Sequence, residues 1–310
     1  MGFAEVLMNL RTIFNNLRFC KKDDLNFKPD ALILIDYPGF NLRIAKFARS
    51  KGLKVFYYIS PQIWAWKQSR GWKVKRNVDK MFVILPFEKE FYKKFDYEVD
   101  FVGHPLLDAI EKFSSVKKPF GDFAKENDLK EKPIVALVPG SRKQEIHSML
   151  PVMLSVKKHF PGYQFVIAAA PSISKSIYEK YMDGDVAILF GKTYELLQHS
   201  TAALVTSGTA TLETALLGIP EVVCYKGNFF SYQIARQLVK VKFISLVNLI
   251  MENEPATGGK PVVKELIQND FNAENLKTEL EKILNDQPFR SQMMSNFTML
   301  KNKLGGGGAS

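Results

Sequence analysis

Cysteine is almost absent from this chain: in 310 residues there are two, Cys20 and Cys224, far apart. Such a pair offers neither a disulfide framework nor a metal-ligand spacing, and it fits a reducing compartment. No apolar run approaches the roughly 20 residues that span a bilayer. The N-terminal stretch does not read as a secretory leader, because Glu5 and Asn9 interrupt it and no small-residue cleavage site follows. Histidine is scarce. His147, His159 and His199 have no carboxylate or cysteine at ligand spacing, so no metal site is expected, and His104 in VGHP reads as a satisfied structural residue ahead of a ligand contact. No internal repeat occurs. Acidic side chains are outnumbered, 32 against 43 basic ones, and the net charge of +11 points to an anionic partner: nucleic acid, a phospholipid surface or a phosphorylated substrate. What is plentiful is apolar residues, 46% of the chain, enough to bury the cores of two domains.

The apolar runs alternate between strand and helix. ALILI, KVFYYIS, KMFVIL, PIVALV, YQFVIAAA, VAILF, AALV and EVVCY read as strands, and most are followed by a helix-period segment, which argues for parallel sheets. The stretch TSGTATLETALLGIP, residues 206–220, organises the rest. It follows the strand AALV, and Ser207 and Gly208 suit a tight turn before a helix that begins near Thr209 and ends at Gly218 and Pro220. A helix N-terminus with two hydroxyls, Ser207 and Thr209, suits a phosphate or diphosphate. Glu213, one turn further along the same face, suits a pair of sugar hydroxyls. An ordinary strand-turn-helix with a solvated Glu would show the same pattern. PIVALV leads into a second such loop, Pro139-Gly140-Ser141-Arg142, this time with a guanidinium able to grip phosphate oxygens in bidentate fashion.

Asp36 ends the strand ALILI in Asp36-Tyr37-Pro38-Gly39-Phe40-Asn41, at the carboxyl edge where open α/β sheets place their ligands. It can serve as a general base or as a turn former bonded to its own backbone. The first helix carries Val6, Leu7, Leu10, Ile13, Phe14 and Leu17 at helical spacing, with Arg11, Arg18, Lys21 and Lys22 alongside. Such a helix packs on a sheet or lies on an anionic membrane, with Val6, Leu7, Leu10, Ile13 and Phe14 as the membrane-facing candidates. All three tryptophans fall in PQIWAWKQSRGWKVKRNV among five basic residues. The mixture could stack bases, anchor at a headgroup layer or wedge a helix onto the core. Without a nucleic-acid fold signature, no nucleic-acid partner is expected. The polar, lysine-rich KFSSVKKPFGDFAKENDLKEKP reads as the domain linker. The expected domains are residues 1–115, 116–288 and a C-terminal helix with a glycine-rich tail, 289–310.

Taken together, DYPGFN, SPQIWAWK, LPFEKEFY, VGHP, LVPGSRKQEI, TSGTATLETALLGIPEVVCYK, FISLVNLI and KELIQ resemble the lipid-A-disaccharide synthases in order and spacing over nearly the whole chain. The resemblance implies an α/β chain of two Rossmann-like domains facing each other across a cleft, the arrangement called GT-B. It implies an inverting, metal-independent and cofactor-free glycosyltransferase. The donor would be UDP-2,3-diacylglucosamine, the acceptor lipid X (2,3-diacylglucosamine 1-phosphate), and the products a β-1,6 disaccharide and UDP. Arg142 with Ser207, Gly208 and Thr209 would hold the diphosphate, Glu213 the ribose, and Asn248 would line the same pocket. Asp36 matches the family's proposed base. Acylated substrates further imply a peripheral protein on the cytoplasmic face of the inner membrane of a Gram-negative bacterium, against an anionic surface. A homodimer is one assembly left open.

The match has gaps. Family members begin with a strand and a GEASGD-like loop upstream of where this chain starts, which would leave the N-terminal domain incomplete, with edges and faces uncovered. The family's final helices beyond GGGGAS are also missing. Gly39 stands where many members carry a second Asp. Another UDP-sugar enzyme of the same architecture, such as a 2-epimerase or an N-acetylglucosaminyltransferase, and a non-catalytic UDP-sugar-binding remnant are the rival readings.

Overall fold

The computed structural model describes residues 10–114, 118–182, 184–228, 232, 233, 236 and 238–309. The chain divides into two compact units, one running through His104 and the other from Pro105 to Gly308. Among the described residues, no helix is long and apolar enough to cross a membrane.

Unit 1 opens with α1 (Leu10–Phe27) and then alternates: β1 (Ala31–Ile35), α2 (Pro38–Ser50), β2 (Lys54–Tyr58), α3 (Gly71–Asn77), β3 (Lys80–Val83), α4 (Glu88–Lys93) and β4 (Asp100–Phe101). The strands form one parallel sheet in the order β1-β2-β3-β4. Alternation with period two sends Val55, Tyr57, Met81 and Val83 into the core, each fully buried. The opposite face is less covered, with Ile33 68% and Ile35 56% exposed. Trp64 is buried edge-on against Phe87, the wedge role, whereas Trp66 and Trp72 stay half exposed.

Unit 2 contains α5 (Pro105–Ser114), α6 (Phe120–Glu126), β5 (Ile134–Val138), α7 (Lys143–Ser155), β6 (Gln164–Ala169), α8 (Lys175–Glu179), β7 (Ala187–Phe190), α9 (Thr193–Gln198), β8 (Ser200–Thr206), α10 (Thr209–Leu216), β9 (Glu221–Tyr225), α11 (Leu246–Met251), β10 (Lys264–Ile267), α12 (Ala273–Asn285) and α13 (Gln287–Lys303). Its six-stranded parallel sheet has the order β10-β9-β8-β5-β6-β7. Every residue of β5 and β6 is buried, the pattern of a parallel sheet covered on both faces. From β5 the chain steps outward through β6 and β7, then crosses back to β8 and continues the other way. The strand order therefore reverses between β5 and β8.

Three expectations change. The unit boundary lies at His104/Pro105, not near residue 115, because α5 packs on α10 and buries Leu107 and Ile110. The stretch read as a linker contains α6, whose Phe123 is fully buried in the unit 2 core against Leu196, Leu197 and Ile134. Two turns with a single fully buried anchor are too short to show a helical period. Residues 289–303 belong to α13, which packs on α12, α10 and α11 as part of unit 2. FFSYQIARQLVK, residues 229–240, whose pattern predicts a helix, falls largely outside the described residues.

Candidate functional site

The reversal of strand order between β5 and β8 is the position at which doubly wound sheets bind ligands, because the two following loops diverge there and leave a crevice. Val138 pairs with Val205, so the PGSR and TSGT loops leave the sheet side by side, about one strand spacing, ~4.8 Å, apart. The two loops that sequence alone marks as suited to phosphate thus flank a single switch point.

They differ in how their backbone donors are used. In TSGT, Gly208 sits at φ 148°, a conformation that favours glycine, and acts as N-cap of α10 with no side chain capping the helix. Thr209 opens the helix and is exposed. The hydroxyl of Ser207 is turned away, donating to the Ile244 carbonyl at 3.1 Å. In PGSR, the Glu145 carboxylate already fills the cradle: its Oε2 accepts from the N–H groups of Ser141 (3.0 Å) and Arg142 (3.2 Å), and its Oε1 accepts from the Arg142 guanidinium at 2.5 Å. Gly140, at φ 101°, leaves room for this, since a Cβ there would lie 2.4 Å from Glu145 Oε2. The loop is an anion cradle holding an anion of its own chain, and Arg142 remains exposed beside it.

Glu213 is half-buried on α10 and accepts a 2.9 Å hydrogen bond from Tyr194 Oη. Burial raises its pKa, and the tyrosine bond partly offsets this. Asn248 is buried with its amide fully engaged. Nδ2 donates to the Val263 carbonyl and Glu265, and Oδ1 accepts from the N–H groups of Val262 and Val263. Its share in the site is therefore positional.

KELIQ contains Glu265 and Gln268, to which the sequence pattern assigns no task. Glu265 gathers four donors, the N–H groups of Ile244 and Ser245, the Ser245 hydroxyl and Asn248 Nδ2, and so folds the turn that Ser207 also touches. Gln268 follows β10 in a left-handed conformation, φ 54°. Its Nε2 and the Thr206 hydroxyl at the end of β8 are buried with no hydrogen-bond partner among the described residues. Strain and unpaired polar atoms at a sheet's carboxyl edge are costly unless a ligand meets them.

In unit 1, Asp36 is exposed at the end of β1, and it and Tyr37 both adopt left-handed backbone, φ 44° and 45°. Two consecutive non-glycine residues there store on the order of 1–3 kcal/mol each. Hydrogen bonds hold the turn: Asn41 Nδ2 donates to the carbonyls of Ile35 (2.9 Å) and Asp36 (2.8 Å), and Tyr57 Oη donates to the Asp36 carbonyl at 2.6 Å. Burial, with the Asp36 charge adding to it, pushes the Tyr57 phenol well up, so it stays a donor. Among the described residues nothing hydrogen-bonds the Asp36 carboxylate. Asn41 and Tyr57 were missed as positioning residues; Asn41 was visible inside DYPGFN. His104 is buried, which lowers its imidazole to about 4 and keeps it neutral.

The first-helix candidates divide. Val6 and Leu7, and the side chain of Leu10, lie outside the described residues; Ile13 is half-buried and Phe14 half exposed, while Leu17 packs inward. Among the described residues no cluster of three or more His, Cys, Asp or Glu is placed to hold a metal.

Solved structures share the fold. A Staphylococcus aureus MnaA–UDP co-structure covers 96% of this chain and 78% of its own, with TM-score 0.66 and 11% identity. The glycotransferase of kitacinnamycin covers 98% and 80%, with TM-score 0.61 and 10% identity. In sequence, the lipid-A-disaccharide synthase of Trichlorobacter lovleyi is 39% identical and that of Syntrophus aciditrophicus 40% identical, each over the whole chain and 80% of the relative. The sequence model of the family described as lipid-A-disaccharide synthetase matches residues 1–304. On these matches the chain belongs to the lipid-A-disaccharide synthase family of glycosyltransferases, with the GT-B type of α/β fold.

Proposed function

We propose that the chain transfers 2,3-diacylglucosamine from its UDP donor to the 6-hydroxyl of lipid X with inversion, releasing UDP, at the cytoplasmic face of the inner membrane. What carries the reading is the pair of anion-suited loops flanking the switch point of the unit 2 sheet. A leaving diphosphate needs charge stabilisation that is already oriented. The uncapped N-terminus of α10 at Gly208 and Thr209 supplies backbone donors, and Arg142 supplies a cation when it swings from Glu145 to the phosphate. Glu213, oriented by Tyr194, holds the ribose, and the unpaired Thr206 hydroxyl and Gln268 amide meet polar groups of the donor. Asn248 and Glu265 hold the turn that completes this wall.

Acceptor activation falls to Asp36. With its backbone pinned and its carboxylate unengaged, it takes the proton from the attacking hydroxyl. One displacement inverts the anomeric carbon and needs no covalent sugar-enzyme intermediate. Phe14 and the neighbouring apolar residues of α1 meet the membrane from which both acylated substrates come.

The test separates the two halves. Asp36→Asn should cut transfer by about 10²-fold or more while leaving UDP affinity within about twofold of the parent. Arg142→Ala should weaken UDP binding about tenfold or more, read by isothermal titration. UDP release without lipid X, or turnover of UDP-N-acetylglucosamine lacking acyl chains, would refute the assignment. Equal loss of transfer and UDP binding in Asp36→Asn would make that residue structural.

A further inference from the structure

Unit 1 holds another anion-suited place. Between α1, α2 and α3 lies an open groove of about 590 Å³. Arg18 and Lys21 line it from α1, Arg43 and Lys46 from α2, and Arg70 and Lys73 from the turn entering α3 and from α3 itself. Among the described residues that line it, none is acidic. Neighbouring cations on the same elements are neutralised outside it, Arg49 by Asp79 and Lys75 by Asp96. Among the described residues, none of the six inside pairs with a carboxylate. Six cationic side chains line one groove, Lys21 and Arg70 reaching also over the rings of Phe47 and Trp66, and an anion seated among them offsets their mutual repulsion.

The groove is not uniformly polar. Phe14, Leu17 and Leu42 lie between the cations, with the Arg43 guanidinium 5.9 Å from the centre of the Phe14 ring. At one end stand Pro38 and Gly39, the opening residues of α2, a 13-residue helix whose N-terminus no side chain caps. At Gly39 a Cβ would meet nothing within 4 Å, so the groove is open there. Pro38 and Gly39 follow Asp36 by two and three residues. A ligand in the groove is therefore held beside the segment that presents the carboxylate.

We infer that this groove seats the phosphomonoester of an acylated sugar acceptor, with the cations on the phosphate and hydrocarbon on Phe14, Leu17 and Leu42. The inference rests on the acceptor role assigned to unit 1 above and specifies what that unit recognises. A phosphomonoester carries about −1.5 to −2 charge near pH 7 and presents three acceptor oxygens, which guanidinium forks bind in bidentate fashion. The groove volume falls within the range of small-molecule sites, roughly 300–1,000 Å³.

Binding of 2,3-diacylglucosamine 1-phosphate and of its dephosphorylated counterpart, each in neutral detergent micelles, tests this directly. The parent chain should bind the phosphorylated compound about tenfold more tightly or better. Arg43→Ala with Lys73→Ala should erase that preference, Arg43→Lys should restore most of it in the Lys73 background, and UDP binding should stay unchanged in all, which also reports folding. A parent chain with no preference, or a double variant that keeps it, overturns the assignment. So does a double variant that loses only co-sedimentation with anionic phospholipid vesicles, since the groove would then be a bilayer contact. Phosphate-dependent binding without transfer would sink the transferase reading and leave the groove standing.

Discussion

Two parallel sheets, built from the same alternation of strand and helix, are finished to different degrees. In unit 2 every residue of β5 and β6 is buried. In unit 1, β1 is an edge strand with only Leu34 buried, and Ile33 and Ile35 face outward. Left-handed non-glycine backbone follows the same division: Asp36, Tyr37 and Ile59 cluster just beyond β1 and β2, whereas among the described residues of unit 2 only Gln268 occupies such a place at a strand end. A sheet buried on both faces fixes the strand ends from which the PGSR and TSGT loops leave. The turn after β1 holds Asp36 by the hydrogen bonds of Asn41 and Tyr57 more than by packing. The comparison can be broken by one chemical change made in each sheet. In unit 2, Ile167→Ala removes a fully buried side chain and should cost on the order of 2–5 kcal/mol. All three tryptophans lie in unit 1. The loss should therefore shift the circular-dichroism transition without moving tryptophan fluorescence.

Buried carboxylates sharpen the contrast. Glu88 in unit 1 is 1% exposed, and its Oε2 accepts from the Leu85 N–H at 3.0 Å. Burial raises its pKa to about 7, with that hydrogen bond offsetting part of the rise. Glu221 in unit 2 is fully buried, neither oxygen has a partner among the described residues, and burial with the nearby Glu265 charge pushes it well up. Both side chains hold a proton in the folded state that the unfolded chain gives up near 4.5. Stability from Glu88 is thus greatest in acid and falls as pH rises from about 4.5 to 7, by on the order of 2–3 kcal/mol. Glu88→Gln, which keeps one acceptor for Leu85, should flatten that slope in the tryptophan-reported transition alone. A slope that survives the substitution would place the titrating group elsewhere.

Much of this was legible from local pattern. ALILI and EVVCY coincide with β1 and β9, and PGSR and TSGT could be read as loops before helices because glycine and hydroxyl residues sit between an apolar run and a helical period. What escaped depends on distance or on a competing local partner. Asn248 is saturated by groups 14 to 17 positions along the chain, which no motif reveals. The Glu145 plug was within reach, since a carboxylate three residues after Arg142 is the spacing of a capping box, here with the Glu145 half made, its carboxylate accepting from the Arg142 N–H. The α6 helix and the unit boundary were missed because one buried aromatic in a lysine-rich stretch looks like solvent-facing chain.

The smallest expected effect closes the comparison. Ile33→Ala is the same truncation as Ile167→Ala, made on a side chain that is 68% exposed. Little apolar surface leaves water on folding at that position, and no cavity forms when the side chain is shortened, so the loss should stay within about 0.5 kcal/mol. Tryptophan fluorescence during urea unfolding reads it, because the reporters share the unit with Ile33. A loss above about 2 kcal/mol, the scale of a buried isoleucine, would mean that this face is covered in solution. The contrast between the sheets would then reflect what rests on unit 1, and its own strands would be as dependent on packing as those of unit 2.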